Sequence, residues 1–121
     1  MKNHFHLICK SENLTETVRL IKSYTAKKII NELENENKTD LLIRFKENKK
    51  EYKVGRTHQI WQEGFHPKEM INNEVLKQKI EYINSNAVRS NFCVKPSDWK
   101  YSSALFYETG EQSLIPLERI V

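Results

Sequence analysis

Asn3-His4-Phe5-His6-Leu7-Ile8-Cys9 reads as a short β-strand, and that reading decides the fold class. In a pleated strand side chains alternate between faces, so Phe5 points one way, into a core, and His4 and His6 the other. Working outward, Asn13 with Glu16 three residues later resembles a capping box, so a helix follows. Leu14, Val18, Ile21, Thr25, Ile29 and Leu33 recur at steps of three and four and give that helix one mostly apolar face. The run from Glu32 to Thr39 then frays into a polar linker. Thr57-His-Gln-Ile-Trp-Gln62 reads as a second strand-like piece, broken by Gly64 and Pro67. A second helix starts near Asn72 or Asn73 and runs towards Arg89. Its buried stripe is Leu76, Ile80, Ile83 and Ala87, and Val75, Lys79, Tyr82 and Asn86 lie at the edge of that face. The segment around Pro96 has turn chemistry, with Trp99 and Tyr101 beside it.

The 121 residues suit one domain, 38% hydrophobic and 30% charged, with a thin core. No uninterrupted apolar run exceeds four residues, so no membrane span is expected. Met1-Lys2-Asn3 lacks the apolar block of a signal peptide, and the two cysteines, Cys9 and Cys93, read as buried small apolar side chains. Together these point to a reducing cytoplasm and exclude a disulfide scaffold or a four-cysteine zinc site.

The charge is local. From Lys38 to His58 there are seven basic side chains (Lys38, Arg44, Lys46, Lys49, Lys50, Lys53, Arg56) against three acids, so this band holds the whole net charge of +4. It reads as a loop or irregular hairpin. A basic band interleaved with Phe45 and Tyr52 suits a phosphate backbone with bases stacked on rings, although charge alone reads first as a solvated surface loop.

Two constellations can carry chemistry. His4 and His6 on one strand face are spaced for one divalent metal, which needs a third ligand from elsewhere; an incidental H-x-H has the same appearance. Tyr82 and Asn86 stack one turn apart on the second helix. A phenolate is a competent nucleophile on phosphorus, Lys79 one turn away can offset its charge, and Asn86 offers an amide oxygen to a hard cation. A core tyrosine with a satisfied hydroxyl is the alternative. His58 and His66 read as surface or turn histidines.

Four stretches in register resemble one family. Met1-Lys-Asn-His-Phe-His-Leu-Ile8, His58-Gln-Ile-Trp-Gln-Glu-Gly-Phe-His-Pro-Lys68, Tyr82-Ile-Asn-Ser-Asn-Ala-Val-Arg89 and Lys95-Pro-Ser-Asp-Trp-Lys-Tyr-Ser-Ser-Ala104 resemble the REP-associated tyrosine transposases, single-tyrosine members of the HUH nuclease group related to the IS200-like elements. The resemblance implies a divalent ion, Mg²⁺ or Mn²⁺, on His4 and His6 with Asn86 as third ligand. It implies Tyr82 as the nucleophile that forms a 5′-phosphotyrosine link with single-stranded DNA. The DNA would be a hairpin-forming repeat, tracked by Arg19, Lys22, Lys27 and Lys28 and by Arg44, Lys46, Lys49, Lys50, Lys53 and Arg56. Lys2 and Ala87 stand where the family has proline, and the chain starts at the histidine motif, without the strand, helix and strand that precede it in the family.

The fold expectation is therefore α+β: a truncated ferredoxin-like antiparallel sheet with helices packed on one face, over residues 1–107, followed by a tail over 108–121. A His4–His6 strand with an open edge would invite a homodimer. The alternative function is a catalytically inactive DNA-binding remnant of such a transposase, and an unrelated metal-binding or interaction module stands third.

Overall fold

The structure, a computed structural model, describes residues 4–121. Helix α1 spans Leu14–Asn35, α2 Thr39–Glu47, α3 Asn73–Arg89 and α4 Ala104–Thr109, with a single 3-10 turn at Pro96–Asp98. No strand forms among the described residues. The fold is all-α there, and the α+β, ferredoxin-like expectation is overturned.

The failed strands show why. Alternation predicts a strand only if a second strand accepts its ladder bonds, and neither expected strand has one. Residues 4–10 are irregular, and Phe5 and Leu7 are 50% and 46% exposed rather than anchored in a core. At 57–62 the backbone finds partners on helices instead. Gln59 N–H donates to the Phe45 carbonyl at 2.9 Å, and the Lys22 ammonium donates to the carbonyls of Gln62 and Gly64 at 2.6 and 2.8 Å. With no strand there is also no sheet edge among the described residues for a dimer to extend. Cys9 is exposed and Cys93 half-buried, against the expectation that both are buried.

The chain divides into two compact units: Lys10–His66, and residues 4–9 with Pro67–Val121. In the first, α1 begins as the capping pattern predicts: the Asn13 side chain accepts from Glu16 N–H at 3.1 Å. Val18, Ile21, Thr25, Ile29 and Leu33 are half-buried along one face, and α1 packs on α2. Helix α2 occupies the first half of the basic band, where a loop or hairpin is expected. Its charge order explains this: Asp40 lies in the first turn and Arg44 and Lys46 in the last, complementing the helix dipole. Leu42 and Phe45, three apart, supply its half-buried side. The indole N–H of Trp61 donates to Thr25 Oγ1 at 2.9 Å and ties the 57–63 segment to α1.

In the second unit, Asn72 caps α3 by accepting from Val75 N–H at 2.9 Å. Ile80 and Ala87 of α3 and Ala104 and Phe106 of α4 are the fully buried apolar side chains among the described residues. Phe92 stacks on Trp99 at 5.4 Å between ring centres, and Ser103 Oγ donates to Asn84 Oδ1 at 2.8 Å, so the turn region closes over α3. The 108–121 tail is tied to the same unit: Ser113 Oγ donates to the carbonyls of Lys100 and Ser102, and Arg119 donates to the carbonyl of Phe106 at 3.2 Å.

Helix α3 stops at Arg89 by a left-handed cap. Asn91 has φ +57°, its N–H donates to the Val88 carbonyl and the Phe92 N–H to the Ala87 carbonyl, each at 2.9 Å. Asparagine tolerates this region, and a β-branched residue does not. Asn91→Val is expected to lower stability by about 1–2 kcal/mol, and Asn91→Gly to leave it unchanged or slightly raised. Urea midpoints of the two variants check this, and equal midpoints would refute the cap.

Candidate functional site

Steps of three, four and three residues place Lys79, Tyr82, Asn86 and Arg89 along one face of α3. Tyr82 is 46% exposed, so its phenol is open to a ligand. The His6 ring meets the Tyr82 ring edge-on at 6.1 Å between centres. His4 packs edge-on against His6 at 5.3 Å. The Lys79 ammonium lies 6.0 Å from the Tyr82 ring centre and the Arg89 guanidinium carbon 5.0 Å. One helix and one irregular segment thus gather two imidazoles, a phenol and two cations.

Burial first, and the neighbouring His4 second, hold the His6 imidazole below its ordinary range. That shift favours the unprotonated ring, which keeps a lone pair for a metal ion or a proton. Two imidazoles this close can share one divalent ion, with each nitrogen about 2.0–2.1 Å from a metal such as zinc. Among the described residues no group of three His, Cys, Asp or Glu side chains assembles, so a third protein donor would have to be of another kind, as the resemblance implies for the Asn86 amide oxygen. The Asn86 amide nitrogen is buried and has no hydrogen-bond partner. A buried donor left in this state costs about 1–3 kcal/mol. It is a donor, so what it lacks is an acceptor oxygen rather than a cation.

The expected DNA track lies in the first unit, and the structure sorts its ten cations into two groups. Five are engaged by the protein itself. Arg19 pairs with Glu16 at 2.6 Å on the exposed surface of α1. Lys22 clasps the Gln62 and Gly64 carbonyls, and Lys49 donates to the Lys53 carbonyl at 3.2 Å. Lys50 and Lys53 each pair with Glu63 at 3.0 Å, and the Tyr52 hydroxyl donates to the same carboxylate at 2.5 Å. The other five, Lys27, Lys28, Arg44, Lys46 and Arg56, form no side-chain hydrogen bond or ion pair among the described residues; Lys28 lies 5.8 Å over the Tyr24 ring. The unit also opens a cleft of about 520 Å³ lined by Phe45, Ile60 and Trp61, the amides Asn48, Gln59 and Gln62, and the Lys50–Glu63 ion pair. Two aromatic rings and three amides on its walls can receive a flat heterocycle.

His58 shares a 2.8 Å hydrogen bond between its Nδ1 and Thr57 Oγ1, and His66 is exposed; both belong to the first unit. Sequence reasoning missed Glu63 and Arg89. Glu63 follows Lys50 by thirteen residues through irregular chain, a separation that carries no pairing signal. Arg89 had one, because seven residues are two turns of a helix and return to the same face.

No protein-family model matches the chain, and neither a curated protein nor a solved structure matches it. Among the described residues no helix is long and apolar enough to cross a membrane.

The hydrogen bond from Tyr52, and then those from Lys50 and Lys53, lower the Glu63 carboxyl to about 2. An unfolded glutamate titrates near ~4.3, so the clasp stabilises the folded unit fully above that pH and is lost as pH falls through about 2. Because Glu63 is solvent-exposed the effect is modest. Glu63→Gln should lower the urea midpoint at pH 7 and flatten its dependence between about pH 5 and 2. A wild-type midpoint that stays flat over that window would remove the clasp from the stability of the unit.

Proposed function

We propose that this chain is a transposase-like domain of the single-tyrosine HUH kind, which nicks single-stranded DNA and transfers the strand through Tyr82. The observation that carries the reading is the approach of the His6 and Tyr82 rings to 6.1 Å, since the sequence separates them by seventy-six positions. The four-motif resemblance supports it as well. In the reaction, the Tyr82 oxygen bonds to phosphorus as the P–O3′ bond breaks, giving a 5′-phosphotyrosine and a free 3′-hydroxyl. The tyrosine proton goes to solvent, and a later attack by a 3′-hydroxyl reverses the bond exchange without ATP.

The chain's own residues supply position and charge. His6 and His4, with the amide oxygen of Asn86, would hold Mg²⁺ or Mn²⁺. Bound there, such an ion supplies Lewis-acid polarisation of a phosphate oxygen. Lys79 and Arg89 set positive charge beside the phenol and favour an anionic phosphodiester at that spot. The five unengaged cations of the first unit attract the backbone, and the Phe45–Trp61 cleft accepts an unstacked base.

A second reading keeps the DNA and drops the chemistry. The free cations and the aromatic cleft lie in a unit that lacks Tyr82, and they support binding by themselves. A denaturing gel distinguishes the two, with labelled single-stranded hairpin DNA, Mn²⁺ or EDTA, and wild type beside Tyr82→Phe. The proposed function predicts an adduct that needs both Mn²⁺ and Tyr82. Native-gel binding without an adduct leaves the DNA-binding reading, and loss of both rejects the family reading altogether.

The sorting of the cations has its own consequence. Replacing Arg44, Lys46 and Arg56 by Gln should reduce the log–log salt slope of single-strand binding by about 0.7 for each phosphate that is no longer neutralised. Replacing Lys50 and Lys53, which Glu63 already neutralises in part, should reduce it less. Equal reductions in the two sets would place the clasped lysines on the DNA.

A further inference from the structure

Arg89 differs in what surrounds it from Arg119, the other guanidinium that lies over aromatic rings among the described residues. Its guanidinium carbon lies 5.0 Å from the Tyr82 ring centre, and the side chain is exposed. It forms no ion pair or hydrogen bond among the described residues. By contrast, Lys50 lies over the Tyr52 ring but is claimed by Glu63, and Arg119 over Phe106 and Tyr107 spends its donors on their carbonyls. A guanidinium held on a ring face by cation–π attraction keeps its in-plane N–H fork free. That fork matches two oxygens of one phosphate, which a lysine cannot do.

The position of this fork is set by the backbone. The left-handed cap at Asn91 ends α3 directly after Arg89, so the guanidinium stands in the last turn, two turns from Tyr82 on the same face. Around the phenol, Lys79 lies on the opposite side in sequence at 6.0 Å, His6 meets the ring edge, and the orphaned amide nitrogen of Asn86 lacks an acceptor. Lys79 and Arg89, the unengaged cations beside the phenol, are donors of the kind an anionic oxygen satisfies. We infer that Arg89 is a phosphodiester-binding residue, whose guanidinium fork grips the non-bridging oxygens of the DNA phosphate presented to Tyr82, with Lys79 as a point charge on the other flank. This inference rests on the proposed nicking reaction for its substrate, and it adds the residue that orients that substrate for in-line attack.

Orientation and affinity separate in the test. The cations of the first unit are proposed to carry most of the non-covalent binding, so Arg89→Gln should weaken the dissociation constant for the hairpin oligonucleotide by a smaller factor than it slows adduct formation. The rate of adduct formation at saturating DNA should fall about 30-fold, the worth of a charge-assisted bidentate interaction. Arg89→Lys, which keeps the charge but loses the fork, should stay about tenfold below wild type. Thermal midpoints of both variants should match wild type, because Arg89 is exposed and supports no buried group. An adduct rate for Arg89→Gln within twofold of wild type overturns the inference while the nicking reaction stands.

Wild type that forms no adduct at all overturns the nicking reaction instead, and a second readout then decides on Arg89. Dimethyl phosphate is titrated against the full chain, with sodium chloride at equal ionic strength as control, and the Tyr82 ring protons are followed by NMR. A shift in wild type that is absent in Arg89→Gln supports the phosphodiester site independently of chemistry. The same titration curve in both proteins, or no shift in wild type, overturns it.

Discussion

Backbone outside a helix must find hydrogen-bond partners, and here it finds them on side chains and termini of helices. This constraint shapes both units. Lys22 reaches from the middle of α1 to the Gln62 and Gly64 carbonyls, Trp61 reaches back to Thr25, and the Phe45 carbonyl near the end of α2 receives Gln59. In the other unit Arg119 meets the carbonyls of Phe106 and Tyr107, and Ser113 meets those of Lys100 and Ser102. These bonds place irregular chain against helices and against neighbouring turns. A lysine so used is anchored at both ends, which is why Lys22 belongs to the fold rather than to a charged surface awaiting a ligand.

Charge is divided along the same line. The basic band is rich in sequence, yet half of the expected DNA-contacting cations satisfy protein acceptors, and Glu63 alone engages two of them together with Tyr52. What remains uncommitted is a smaller set at the end of α2, on α1 and at Arg56. On α3 the arrangement is reversed. There Lys79 and Arg89 have an aromatic ring in place of an acid, so their charge stays available to an anion.

Helix starts were legible because they depend on single residues acting locally. Asn13 and Asn72 each accept an N–H of their own first turn, which three-residue spacing reveals without knowledge of the rest of the chain. The buried stripe of α3 was legible for a similar reason, and Ile80 and Ala87 are buried as its periodicity requires. The strands were not legible, because alternation at 3–9 and 57–62 describes only half of a pairing, and Asn3 itself lies outside the described residues. Helix α2 was hidden by its charge, since Asp40, Arg44 and Lys46 look like solvated loop until their order along a helix axis is considered. At the candidate site, His4, His6, Tyr82 and Asn86 were nameable from spacing and resemblance. The nearness of His6 to Tyr82 was not, because irregular chain leaves no periodicity from which to compute it.

The distribution of full burial has a consequence for how the two halves tolerate change over generations. Truncating a side chain is costly where the surrounding atoms enclose it and cannot close the gap. Among the described residues such enclosure is confined to Ile80, Ala87, Ala104 and Phe106, all on α3 and α4. Lys10–His66 holds half-buried stripes and polar clasps instead, so most single replacements there loosen the packing slightly without opening a void. Its composition is free to drift while helical character and a few clasps persist, and α3, which carries Tyr82, is held to a narrower range of sequences.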